Sequence, residues 1–327
     1  MYKPANMSLW QGRIDNENPS QSLRWHQRVS AWRPDQNHTP TSAILGFACD
    51  EGVRRNQGRT GAKFGPVAIR QALSNMAYQQ TLDSIDAGDI ICEGQALEAA
   101  QVELAQQVSA LLVSGHFPIV LGGGHEMAWG SFQGAAGYLE KSTDHKIDNH
   151  KVGIINFDAH FDLRDSVASS QTANSGTPFR QIAQWCETKQ CDFRYCVLGI
   201  NPSANTDTLF DYARKKEVFW REDLQCTQRY LQEMTEDLAK FIAPLDYLYL
   251  TICLDAFSAA SAPGVSAPSV LGIEPAVGVE LIRVIKYLCT QYNTRWLLAD
   301  IAELNPELDI DSITAKLGAR LVYEICR

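Results

Sequence analysis

At 327 residues, with 45% hydrophobic and 20% charged residues, the chain has an ordinary globular composition and can bury a substantial core. A formal net charge of -9 argues against nucleic acid or an anionic membrane as a partner, yet a few local arginines could still hold a small anionic substrate. Met1 to Trp10 lacks the basic start and apolar run of a signal peptide, and no apolar stretch reaches the length of a membrane span. A cytoplasmic protein is expected. Nine cysteines lie mostly in apolar, strand-like runs (Cys49, Cys196 and Cys253 among them) and form no CxxC pair, so buried thiols are expected rather than disulfides or a zinc knuckle.

Residues 1–40 are polar and carry Trp10, Trp25 and Trp32; they read as an irregular arm anchored on the body by its tryptophans. From residue 41 to 327 short apolar runs alternate with helical stretches. Strands are predicted at Ala43–Cys49, Phe117–Leu121, Val152–Phe157, Tyr195–Ile200, Val218–Trp220, Tyr247–Leu254 and Trp296–Ile301. These runs are apolar on both faces, as parallel strands covered by helices on each side must be. The clearest helix runs from Ala96 to Val113 and is ended by Gly115. The alternation predicts one α/β domain, a three-layer α/β/α stack with a mostly parallel central sheet. The polar segment Glu140–His150 reads as a surface loop. In such folds ligands bind beyond the carboxyl ends of the strands, so reactive side chains are sought there.

The strongest signal follows the strand at Val152: Asn156-Phe157-Asp158-Ala159-His160-Phe161-Asp162. In an extended segment Asp158, His160 and Asp162 point to one side. Two carboxylates and an imidazole converging there are costly unless paired, and a bound cation removes the cost. The competing reading makes an aspartate a helix cap and His160 a core histidine. Two other strand ends add residues of the same kind. Gly122-Gly123-Gly124 allows a tight turn that presents His125, and the run from Tyr247 ends in Cys253-Leu254-Asp255. Taken alone, Cys253 would be a plain buried thiol. Carboxylates and histidines with at most one thiolate favour Mn2+ over structural zinc, and there are ligands enough for two ions. Such a pair can hold a shared water as hydroxide for attack.

Gly122-Gly123-Gly124-His125-Glu126 followed by Asp158-Ala159-His160-Phe161-Asp162 resembles the metal motifs of the ureohydrolase family, which includes arginases, agmatinases and formimidoylglutamases. The resemblance covers the chain from about Ala43 onward. It implies an arginase-like fold, a homo-oligomer, and His125, Asp158, His160, Asp162 and Asp255 as manganese ligands, with Asp158 bridging. Glu303, in Ala302-Glu303-Leu304-Asn305-Pro306, matches the family glutamate that holds the amidine-like group. Asp50 to Ala62, Leu163-Arg164, Ser175 to Arg180 and Trp10 to Arg13 are similar to the formimidoylglutamase branch.

That branch acts on N-formimidoyl-L-glutamate in histidine degradation, releasing L-glutamate and formamide through a metal-bound hydroxide, with Asp162 as proton carrier. Its dicarboxylate substrate calls for cationic anchors. Arg164 is the first of these, with Arg55, Arg59, Asn56 and Ser175 completing the substrate side; the competing reading of Arg164 is an ion pair with Asp165. Two positions depart from the family pattern. Cys253 stands where the family has a bridging aspartate, so it is counted as a sixth ligand of uncertain strength, and Ser175 replaces the histidine of agmatinases. Two other functions stay open: agmatinase or another guanidino or amidine hydrolase, and a non-catalytic relative with an impaired metal site.

Overall fold

Alternate side chains of each central strand enter opposite apolar layers, which is what makes the predicted runs apolar on both faces. The computed structural model describes residues 1–18, 21–34, 39–142, 150–165 and 173–327. Its strands are β1 (Tyr2–Lys3), β2 (Val29–Ala31), β3 (Ser42–Ala48), β4 (Ser84–Ile91), β5 (Phe117–Gly122), β6 (Val152–Phe157), β7 (Arg194–Ile200), β8 (Phe219–Glu222), β9 (Tyr247–Cys253) and β10 (Arg295–Ala302). The helices are α1 (Glu51–Arg55), α2 (Gly65–Ser74), α3 (Leu97–Val113), α4 (Met127–Ser142), α5 (Pro178–Lys189), α6 (Asp207–Lys215), α7 (Leu231–Ile242), α8 (Pro275–Tyr292) and α9 (Ile313–Cys326).

The sheet order is β1-β4-β3-β5-β10-β9-β6-β7-β8, with β2 also on β4. Every pair is parallel except β1 with β4. On one face Leu248, Leu250 and Ile252 of β9 pack with α2, α7, α8 and α9. On the other Tyr249 of β9, Val120 of β5 and Leu298 of β10 pack with α3, α4, α5 and α6. This is the expected three-layer arrangement. No helix among the described residues is long and apolar enough to cross a membrane. Of the polar segment Glu140–His150, residues 140–142 finish α4 and 143–149 lie outside the described residues.

Strand β4 is absent from the sequence expectation, and its residues explain why. Asp86 and Asp89 interrupt its apolar pattern, yet Asp86 is fully buried. Arg70 of α2 compensates it with a fork: Nε and Nη2 each donate to an Asp86 oxygen at 2.9 Å, and Nη1 reaches Asp89 at 2.7 Å. The Trp10 indole donates to the same Asp86 carboxylate at 2.7 Å. The N-terminal segment therefore differs from an irregular cover: β1 and β2 both pair with β4 and extend the sheet, and Trp10, Trp25 and Trp32 are buried. Substituting Arg70→Met would leave Asp86 buried without a counter-charge. A loss of about 3–5 kcal/mol in urea unfolding is expected; a loss below about 1 kcal/mol would show the pair to be dispensable.

Candidate metal centre and cleft

Four neighbouring strands, β5, β10, β9 and β6, deliver the reactive side chains at their carboxyl ends. Their parallel order puts all four ends on one edge. His125 follows β5 after the turn at Gly123 and Gly124, where a side chain on Gly123 would overlap the Cys49 carbonyl at 1.7 Å. Asp158, His160 and Asp162 follow β6. Cys253 closes β9 with Asp255 just beyond, and Glu303 follows β10. Asp162 and Glu303 hold positive φ angles of 50° and 70°. Non-glycine residues resist that region, so the surrounding structure must impose the conformation at both acids.

The ligand-type atoms fall into two groups that share one residue. His125, Asp158 and Cys253 form one group and Asp158, His160 and Asp255 the other, each with its donor atoms within 4.8 Å of one another. His125 Nδ1 lies 2.9 Å from Asp158 Oδ2 and 3.1 Å from Asp162 Oδ2. His160 Nδ1 lies 3.1 Å from Asp255 Oδ2 and 3.6 Å from Asp158 Oδ1. Despite this crowding, His125 Nδ1 and Asp255 Oδ1 are buried and have no hydrogen-bond partner of proper geometry. Buried polar atoms are rarely left this way, and cations between the two groups would satisfy both. The donor set fits a pair of hard or borderline divalent ions, with Asp158 common to both positions.

Electrostatics support the same conclusion. Burial pushes Asp162 up and the Asp158 charge adds to it, bringing Asp162 to about 6. Burial would also raise Asp158, but the two histidines hold it well below the usual carboxylate range. Burial would lower His125, yet Asp158 and Asp162 push it well above its ordinary value, and Asp255 and Asp158 do the same for His160. In the metal-free protein these imidazoles therefore keep protons that a metal ion must displace. Because the histidine values are raised, the displacement becomes easier as pH rises. Mn2+ affinity by calorimetry is expected to strengthen from about pH 6.5 to about pH 8.5, up to roughly tenfold per unit for each proton released. A flat profile would show that neither histidine is a ligand.

The two groups open into a cleft of about 600 Å³ lined by Asn56, Arg59, Arg164, Ser175, Ser266 and Glu303 as well as the ligand residues. The arginines differ sharply. Arg164 is exposed in the cleft, and among the described residues its guanidinium makes no ion pair; Asp165 pairs with Arg180 at 2.6 Å instead. Arg59 also lines the cleft, but its guanidinium donates to the carbonyls of Val265 and Ser266. Arg55 lies outside the lining. Its guanidinium is spent on Glu51 and Glu98 and on two backbone carbonyls, so it acts as a clamp on the loop. Asn56 Nδ2 donates to Ser175 Oγ at 3.2 Å, joining the two loops that bear the polar wall.

With this geometry in place, sequence comparison decides the lineage: the family model described as Arginase family matches residues 41–327. The chain belongs to the arginase family. It is 45% identical to a formimidoylglutamase of Aeromonas salmonicida, covering 100% of this chain and 99% of that one. It is 46% identical to a formimidoylglutamase of Aromatoleum aromaticum, over 97% and 91% of the two chains. The crystal structure of a Trypanosoma cruzi formiminoglutamase variant with Mn2+ superposes with a TM-score of 0.76 and 26% identity, over 93% of this chain and 97% of that one.

Several residues that shape this arginase-family site were not singled out from the sequence. Asn156 donates to Asp158 Oδ2 at 2.9 Å and to the Tyr195 hydroxyl at 2.9 Å. Asn205 holds the loop after β6 from below, accepting from the Phe161 amide and donating to the Ala159 carbonyl. Asn305 donates to the carbonyls of Arg59 and Thr60. Asn156 had a legible signal, since it lies two residues before Asp158 on the same side of the strand. Asn205 and Asn305 act across long loops, which no local spacing reveals.

Proposed function

We propose that this chain is a manganese-dependent formimidoylglutamase that hydrolyses N-formimidoyl-L-glutamate to L-glutamate and formamide in the breakdown of histidine. The observation that carries this reading is the guanidinium of Arg164, without an ion-pair partner among the described residues, in the same cleft as both ligand groups. A dicarboxylate needs such a cation, whereas agmatine carries no carboxylate to use it. Relatives named formimidoylglutamase at 45% and 46% identity over nearly their full length point the same way. A cytoplasmic setting accords with the nine free thiols.

His125, Asp158, His160, Asp162, Cys253 and Asp255 would hold two Mn2+ ions, which supply Lewis-acid charge and lower the pKa of water. Arg164, with Asn56 and Ser175 beside it, binds and orients the substrate carboxylates. Glu303 is buried and accepts a hydrogen bond from the His125 amide at 2.8 Å, which fixes its carboxyl group where it can receive the formimidoyl N–H groups. Asp162, beside His125 at the mouth of the cleft, would carry the proton to the departing glutamate nitrogen. In the balance, water oxygen bonds to the formimidoyl carbon while the bond from that carbon to the glutamate nitrogen breaks. Product analysis tests this directly. Glutamate with formamide is the expected pair; N-formylglutamate with ammonia would overturn the assignment.

Cys253 is the unusual member of the set. Burial raises its thiol well above the ordinary value, and the charges of Asp158, Asp255 and Glu303 raise it further. To act as a ligand it must lose that proton, and as a soft donor it repays a hard ion poorly. Cys253→Asp is therefore expected to tighten Mn2+ binding by roughly tenfold or more in calorimetric titration under reductant. Unchanged affinity would place Cys253 outside the metal shell.

A further inference from the structure

Behind Asp158, in the apolar layer that holds Ile154, Phe161, Phe179 and Tyr195, runs a chain of buried polar contacts that the reaction above does not use. In the parallel register of β6 with β7, Ile154 sits opposite Tyr195, so Asn156, two residues on, shares the face of the phenol. Asn156 is fully buried, and its Nδ2 donates twice: to Asp158 Oδ2 at 2.9 Å and to the Tyr195 hydroxyl at 2.9 Å. The phenol in turn donates to the Phe161 carbonyl at 3.2 Å, while the Phe161 amide donates to Asn205 Oδ1 at 3.1 Å. Both backbone polar groups of Phe161 are therefore pinned immediately before Asp162 turns to a φ of 50°. The Tyr195 ring stacks on Phe179 with centroids 4.4 Å apart, and Phe179 meets the His125 ring edge to face. Polar groups this deep in an apolar layer are costly to hold, and packing alone would be served by a leucine at position 156.

We propose that Asn156 and Tyr195 are positioning residues that together fix the carboxylate plane of Asp158, so that Oδ2 faces one ligand group and Oδ1 the other. The inference rests on the metal-site reading above. Donor counting sets the direction of each contact. The phenol has one hydrogen, committed to the Phe161 carbonyl, so its oxygen accepts from Asn156. The side-chain amide has two hydrogens, and both are used. Turned round, the amide would set Oδ1 against the Asp158 carboxylate, oxygen to oxygen. As placed, Oδ1 is buried with no partner among the described residues, so an acceptor is left unmatched to keep both donors in position. At the other end of the carboxylate, Asp158 Oδ1 accepts from the His160 amide at 2.8 Å and lies 3.6 Å from His160 Nδ1, whereas Oδ2 lies 2.9 Å from His125 Nδ1. Each oxygen is thus held by one fixed donor and left facing one histidine. An aspartate at position 156 would bring no hydrogens and a like charge beside Asp158.

Asn156→Leu keeps the size and removes both donors, and Tyr195→Phe keeps the ring on Phe179 and removes the hydroxyl. Calorimetric titration of the metal-free proteins with Mn2+ is expected to show roughly 10- to 100-fold weaker affinity for Asn156→Leu, and a smaller loss in the same direction for Tyr195→Phe. The two losses should not multiply in the double variant, because the bond between amide and phenol is already broken in either single one. Neither residue lines the cleft, so KM for N-formimidoyl-L-glutamate should hold in excess Mn2+. A merely structural role would lower the melting temperature of the metal-free protein and leave the Mn2+ affinity of the folded protein unchanged. Wild-type affinity in Asn156→Leu, or losses that multiply in full, would overturn the inference; if Asn156→Leu does not fold, the affinity of Tyr195→Phe decides. Failure of wild type itself to bind Mn2+ would remove the metal reading and this inference with it, whereas tight wild-type binding with unaffected variants removes this inference alone.

Discussion

Asp158→Asn is expected to reduce turnover by about a thousandfold or more, equivalent to roughly 4 kcal/mol of transition-state stabilisation. Asp158 is the residue common to both ligand groups, so its charge would serve two cation positions at once. The amide removes that charge and one acceptor oxygen. It also meets two donors, because Asn156 Nδ2 approaches Oδ2 and the His160 amide approaches Oδ1. One of these must lose its partner or face another donor, so the loop bearing His160 and Asp162 is disturbed as well. Metal content by elemental analysis should fall together with activity. Retention of both near wild-type levels would exclude Asp158 as the bridging ligand.

The second large effect concerns binding. Arg164→Ala should lower kcat/KM for N-formimidoyl-L-glutamate by about 100-fold, in line with loss of a charge-assisted contact worth roughly 1.5–3 kcal/mol. KM should rise at least as much as kcat falls, because an arginine that anchors the carboxylates would not touch the reacting carbon. Gly176 gives an independent approach to the same residue. A side chain there would meet Arg164 Cδ at 2.7 Å, so Gly176→Ala should push the arginine from its path and reproduce part of the KM increase. Steady-state kinetics on both variants provides the check. Unchanged KM in Arg164→Ala would take away the physical basis for a dicarboxylate substrate.

The core of the site was legible because it is local. Asp158, His160 and Asp162 follow one strand within five residues. The chain bends at residues 159–160 and Asp162 takes a positive φ instead of continuing the expected extended run. The three still lie beside His125, Cys253 and Asp255 at adjacent strand ends. The arginines were less legible. The sequence puts Arg164 first but keeps Arg55 and Arg59 as further anchors of a dicarboxylate site. Only the fold shows that Glu98, distant in sequence, occupies Arg55, and that the carbonyls of residues 265 and 266 occupy Arg59. Strand β4 escaped for a related reason. Its aspartates break the apolar pattern, and the compensating Arg70 lies on a helix whose contact with that strand no periodicity reveals.

The most direct test compares kcat/KM of the Mn2+-loaded, reduced protein for N-formimidoyl-L-glutamate with that for agmatine and guanidino acids, following formamide and urea separately. Formamide release is expected, with a preference for N-formimidoyl-L-glutamate of at least about 100-fold, the scale set by the proposed Arg164 contact. Urea release from agmatine or a guanidino acid at equal or greater efficiency would contradict it, and so would the absence of any turnover in protein shown to hold its metal.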